Sequence, residues 1–153
     1  VGDKIGISKY YHEHVHDPLG GSCAIDDGSS VVLTGGAFSP VIVQRYKKDG
    51  FVETLPDLNE GRFHHGCSTY LQDDGKKVYI VTGGRPSTQE DFTSTTEVLA
   101  EGNTKWKLAG NLPAGLFAGR MATLDNRVFF FGRFQTFSMQ NSFTFDFRWI
   151  QDN

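Results

Sequence analysis

One phrase is written twice in this chain, VVLTGG at 31–36 and YIVTGG at 79–84. Gly35 and Gly83 stand 48 residues apart, and 49 residues further on Gly132 follows the run VFFF. Other stretches recur in step. IDDGSSVVL (25–33) matches LQDDGKKVYIV (71–81) and, more loosely, TLDNRVFFF (123–131). LPDLNEGR (55–62) matches LPAGLFAGR (112–120). A period of this length restricts the chain to like units that stack, because one such unit cannot bury its own apolar faces.

Each unit reads as short β-strands. In the second unit the β-rich runs fall at about 67–71, 78–82, 95–99 and 105–109. Between them stand Asp73-Asp74-Gly75, Gly83-Gly84 and Gly102-Asn103. These are turn formers, since Gly reaches positive φ without steric cost and Asn and Asp tolerate it. Pro56 and Pro113 fall where one unit hands over to the next. No long helical period is present. Aromatic residues make up 13% of the chain, and 13 of them are Phe, which suits a pleated surface.

The paired glycines after an apolar second strand, the Leu-Pro segments and Trp106 after a short loop together resemble the kelch repeat. Tyr46 with Phe51 stands in for the aromatic pair in the first unit, and Leu99 replaces the expected Tyr in the second. The resemblance covers about 22–149. It implies an all-β fold of kelch-type β-propeller blades, each of four antiparallel strands. The units would be 22–60, 61–118 and a partial blade at 119–153, with 1–21 a possible remnant of a preceding blade. Fewer than three full blades form an incomplete, open ring. Missing blades from a longer chain, or self-association, would have to complete it. Phe51, Trp106 and Trp149 are expected to fill the wedges between blades, each burying on the order of 150–250 Å².

Charge and composition restrict function only broadly. The net charge of −3 offers no strong basic field, so no nucleic-acid partner is expected. No apolar run approaches the roughly 20 residues that cross a bilayer, and no membrane partner is expected. Compartment stays open. Cys23 and Cys67 are the only cysteines. One bridge or two buried thiols would both suit them, and buried free thiols are the expectation.

Several side-chain groups carry chemistry. His12, His14 and His16 alternate as one face of a strand would, a pattern open to Zn²⁺ or Cu²⁺. A single strand does not converge three imidazoles, so neither metal nor cofactor is expected. Cys67 beside His64 and His65 suggests a nucleophile with its base, but no orienting third group is evident and no catalytic residue is assigned. Kelch propellers carry ligand contacts on the loops of one face, which makes Arg62, His64, Arg85 and Arg120 candidates for partner binding. Arg62 and Arg120 match in the repeat, which favours a bracing role on neighbouring carbonyls over a ligand role. Gly35, Gly36, Gly83, Gly84 and Gly132 are assigned to the scaffold. The resemblance implies a non-enzymatic module that binds another protein or peptide, for instance as substrate recognition for a ubiquitin-ligase adaptor. The alternative is a fragment of a galactose-oxidase-like enzyme or carbohydrate-binding propeller; some kelch-like propellers are copper oxidases with a cross-linked Cys–Tyr pair, and although Tyr46 and Tyr70 are present, no copper-ligand set can be assembled from this chain.

Overall fold

A computed structural model describes residues 20–86, 91–134 and 140–145. Strands β1 (Cys23–Asp26), β2 (Ser30–Thr34), β3 (Val43–Lys47) and β4 (Val52–Leu55) form sheet 1. A short β5 (Arg62–Phe63) leads into β6 (Gly66–Leu71) and β7 (Lys77–Thr82). After β8 (Arg85–Pro86), β9 (Thr95–Ala100) and β10 (Lys107–Asn111) complete sheet 2, in the order β10-β9-β7-β6. Strands β11 (Leu116–Leu124), β12 (Arg127–Phe134) and β13 (Gln140–Phe145) form sheet 3, and β5 pairs with β8 as a separate ribbon. All pairings are antiparallel. The described residues are all-β, and no sheet closes into a barrel.

Turn chemistry sets the hairpins. Asp27 Oδ1 accepts from the amides of Ser29 and Ser30 at 3.0 and 2.7 Å, closing the β1–β2 turn around Gly28. At the β11–β12 turn Asp125 and Asn126 take left-handed φ of 50° and 58°, which these residue types tolerate. Asn126 also reaches sheet 2: its Nδ2 donates to Leu71 O and its Oδ1 accepts from Leu71 N, both at 2.7 Å.

Strand alternation then decides which residues meet. Ile25, Val32 and Val43 of sheet 1 pack against Cys67, Tyr79, Val81, Leu99 and Trp106 of sheet 2. The opposite face of sheet 2 offers Tyr70, Val78 and Ile80 to Val128 and Met121 of sheet 3. A one-residue register slip would turn all of these toward the wrong neighbour. The first strands β1, β6 and β11 lie beside one another. Trp106 is 3% exposed, and its Nε1 donates to Pro56 O at 2.8 Å in the link between sheets 1 and 2. Phe51 precedes β4 as Trp106 precedes β10, yet it is 57% exposed, with Lys47 Nζ 5.1 Å from its ring. It fills no wedge, because the described residues place no sheet on that side of sheet 1. Trp149 and His12, His14 and His16 lie outside the described residues.

Gly132 behaves differently from the other marker glycines. β2 and β7 stop at Thr34 and Thr82, just before their glycine pairs, whereas β12 runs on through Gly132, which pairs with Asn141. Arg133 stands where a second glycine would be and continues the ladder opposite Gln140. Sheet 3 also opens at Leu116, inside the 61–118 unit expected from sequence.

Candidate functional site

Each glycine pair is a socket for the next sheet's entering chain. Gly36 N donates to Arg62 O at 3.0 Å, and Gly84 N donates to Leu116 O at 2.7 Å. A Cβ on Gly35 would lie 2.3 Å from Arg62 O, and one on Gly83 would lie 2.9 Å from Leu116 O. Both glycines also hold left-handed φ, 59° and 65°. The crossing chain therefore requires glycine twice over, through space and through conformation.

These contacts correct the repeat alignment at the entry segments. Leu58 N bonds Val41 O and Leu112 N bonds Ser94 O, each acceptor two residues before the pairing of its third strand begins. Leu58 thus corresponds to Leu112, Arg62 to Leu116, His64 to Ala118 and Gly66 to Arg120. The identical Leu-Pro pairs had suggested that Arg62 matches Arg120. His64 and Ala118 share φ 54°, so that left-handed turn belongs to the scaffold.

Arg62 is fully buried. Its Nη1 donates to Gly83 O and Thr95 O at 3.0 and 3.1 Å, and Nη2 reaches Glu97 Oε1 at 2.6 Å. Nη2 also meets Glu60 Oε2 and Thr95 Oγ1, and Nε donates to Glu60 O at 3.3 Å. Glu97, buried too, accepts from the amides of Asn59 and Glu60 and from Asn59 Nδ2. With every guanidinium nitrogen engaged internally, Arg62 presents nothing to a partner. The Gly83 and Thr95 carbonyls it braces belong to its own 61–118 unit rather than to a neighbouring one. Beside it His65 is 1% exposed, with Nε2 2.7 Å from Thr34 Oγ1 and no partner at Nδ1. Burial, with the charge of Arg62 and His64 nearby, lowers its pKa to about 3, so the ring stays neutral.

The other candidates gather at the end of the sheets where the sockets lie. His64 is exposed; its amide donates to Gly21 O at 2.6 Å, and its carbonyl accepts from Gly119 N at 3.3 Å. Its ring makes edge contacts with Phe63 and Phe117, centroids 5.5 and 4.9 Å apart. Phe117 stacks on Phe92 at 4.7 Å. Arg85 pairs with Phe63 in the β5–β8 ribbon. Arg120 follows Gly119, and its exposed side chain touches that residue's carbonyl through Nη1 at 2.9 Å. The rim is pinned by its backbone. Thr93 N donates to Gly84 O, Leu116 N to Thr93 O, and Gly115 admits the close carbonyl of Phe92, 2.1 Å from where a Cβ would be. Sequence reasoning missed Phe63, Phe92 and Phe117. Only the equivalence of Phe63 and Phe117 in the entry segments could have flagged two of them.

Cys23 and Cys67 form a disulfide, with Cα atoms 5.9 Å apart, and neither is a free thiol. The first strands β1 and β6 come side by side, which brings together cysteines 44 residues apart in sequence. That bond leaves no thiol for a nucleophile or a Cys–Tyr pair. Among the described residues no three His, Cys, Asp or Glu side chains converge as a metal site would need.

A concavity of about 360 Å³ opens at the opposite end between the hairpin turns. Its charges answer one another. Asp27 accepts from both Ser29 and Ser30 and from Tyr79 Oη, Arg45 holds Glu53 and Tyr79 Oη, and Lys77 stands 3.8 Å from Asp27. Burial raises the Asp27 pKa, but the hydrogen bonds from Ser30 and Ser29 outweigh it and hold the carboxyl well below its usual range.

Fold and site together define an all-β protein of adjoining antiparallel sheets, with an aromatic and cationic rim at one end. No family model matches the chain, and no curated protein matches it significantly. Its shape is similar to solved structures, among them that of YjhT, with a TM-score of 0.68 and 15% identity. The match covers 88% of this chain and 44% of that one, so the chain spans under half the length of that structure. Among the described residues no helix is long and apolar enough to cross a membrane.

Proposed function

We propose that the chain is a kelch-type propeller segment that binds an acidic peptide or protein segment through the socket end of its sheets. One observation carries this reading: Phe63 and His64 of the first entry segment, Phe117 of the second, and Phe92 of the connection between β8 and β9 assemble there into one aromatic cluster. Aromatic rings supply large contact area at low entropic cost. Arg85 pairs with Phe63 in the β5–β8 ribbon and Arg120 follows Phe117 by three residues in β11, and guanidinium groups suit bidentate carboxylate recognition. Loops on a rigid sheet are the usual seat of binding.

The test is capture from a library of acidic peptides by the immobilised chain. Wild type should enrich a defined set. A Phe117→Ala, Arg120→Ala variant that folds normally should lose it. Equal enrichment by both would sink the reading.

A further inference from the structure

We propose that the chain folds and acts in an oxidising compartment, with the Cys23–Cys67 bridge as a permanent staple between sheets 1 and 2. The partner of the aromatic rim is then met outside the reducing cytosol, which sets this chain apart from a ubiquitin-ligase adaptor. That second clause rests on the binding reading above.

The bridge is structural by its surroundings. It uses both cysteines of the chain and leaves none to exchange with it. Cys67 is 4% exposed within the apolar cluster that joins the two sheets, and Cys23 packs against the same cluster. Burial of Cys67 restricts a reductant's thiolate at that sulfur, while Cys23 is partly covered by the same cluster. The sequence holds no C-x-x-C pair of the kind found in redox catalysts.

The staple is also specific to one seam. By the corrected alignment Cys67 corresponds to Met121 in sheet 3, so the next seam has no second bridge to offer. The Cys23 main chain lies beside the socket, since Thr34 Oγ1 contacts both Cys23 O and His65 Nε2. Closing the bond removes one proton and one electron from each thiol. The acceptor is a protein or small-molecule disulfide, which takes up the two electrons and two protons and leaves as two thiols. Such acceptors prevail in secretory and extracellular compartments, whereas cytosolic thiols are kept reduced.

The test traps thiols with an alkylating agent as native-source cells are opened, then weighs the denatured chain. The expected result is no alkylation until reductant is added, and a mass lighter by two hydrogens than the reduced chain. Two alkylated cysteines without reductant would overturn the proposal. A second arm follows thermal unfolding of the purified chain with and without dithiothreitol. Wild type should lose midpoint on reduction and a Cys23→Ser, Cys67→Ser variant should not; a wild-type midpoint indifferent to reductant overturns the staple. Oxidised protein that captures no acidic peptide counts against the binding reading and still supports the bridge. Captured peptide with free thiols does the reverse.

Discussion

The two entry segments, 58–67 and 112–121, follow one backbone path and solve different problems. At the first, Arg62 carries a buried charge into the sheet and Glu97 answers it, while His65 fills the space beside the socket. At the second, Leu116 takes the place of Arg62 and packs with Leu112 and Phe130, and Gly119 takes the place of His65. A Cβ on Gly119 would lie 2.5 Å from the Phe130 ring, so the ring occupies the room the imidazole has in the first segment. The main chain fixes where the sheets sit, and the side chains are free to make the joint ionic or apolar. The ionic joint has the greater exposure to damage, because removing one partner strands the other.

The largest effect should come from breaking that pair. Arg62→Leu alone should cost about 3–5 kcal/mol by leaving the buried Glu97 carboxylate without its counter-charge. Adding Glu97→Leu should recover much of the loss by copying the apolar joint. Denaturant midpoints of the singles and the double form the cycle, and a double no better than Arg62→Leu would contradict the comparison. Next, Cys23→Ser with Cys67→Ser should cost about 2–4 kcal/mol, the usual worth of a bridge across a loop of this order. Calorimetry on the oxidised protein reads it.

Gly84→Ala should cost on the order of 2 kcal/mol, from a left-handed φ of 90° and a Cβ 2.8 Å from that of His65. The same change at Gly75, whose Cβ would meet open space, should cost only its φ penalty. Urea midpoints compare the two. His65 gives a pH signature that the second joint lacks. Its folded pKa is about 3 and its unfolded value about 6.5, so between them the unfolded chain binds the extra proton. Stability should therefore fall as pH drops through that window, by up to about 1.4 kcal/mol per unit. His65→Gln should flatten the slope; an unchanged slope would assign it to other groups. The smallest effect is at the sheet 2–sheet 3 contact, where Asn126→Ala should cost about 1 kcal/mol by freeing the Leu71 amide and carbonyl.

Much of the scaffold was legible in the residues. The expected strands at 67–71 and 78–82 appear as Gly66–Leu71 and Lys77–Thr82, because β-rich runs bounded by Asp-Gly and Gly-Gly leave few other solutions. The alignment of Arg62 with Arg120 failed because Leu-Pro identity outweighed a carbonyl position that only coordinates reveal. Phe51 and Trp106 are alike in sequence context, and burial depends on what lies across from each. The pairing of Cys23 with Cys67 followed from two first strands running side by side, a long-range relation absent from local pattern. The aromatic rim was hidden for the same reason, since Phe92 and Phe117 come from separate connections.

The sockets have a consequence for how such a chain grows. Gly36 and Gly84 grip the incoming segment through a main-chain amide and carbonyl, which every residue type presents at the gripped position. A duplicated unit therefore arrives with its coupling already made and asks of its neighbour's sequence only the glycine pair. Divergence can then begin at once on the side chains around the joint, where Arg62 and Leu116 now differ.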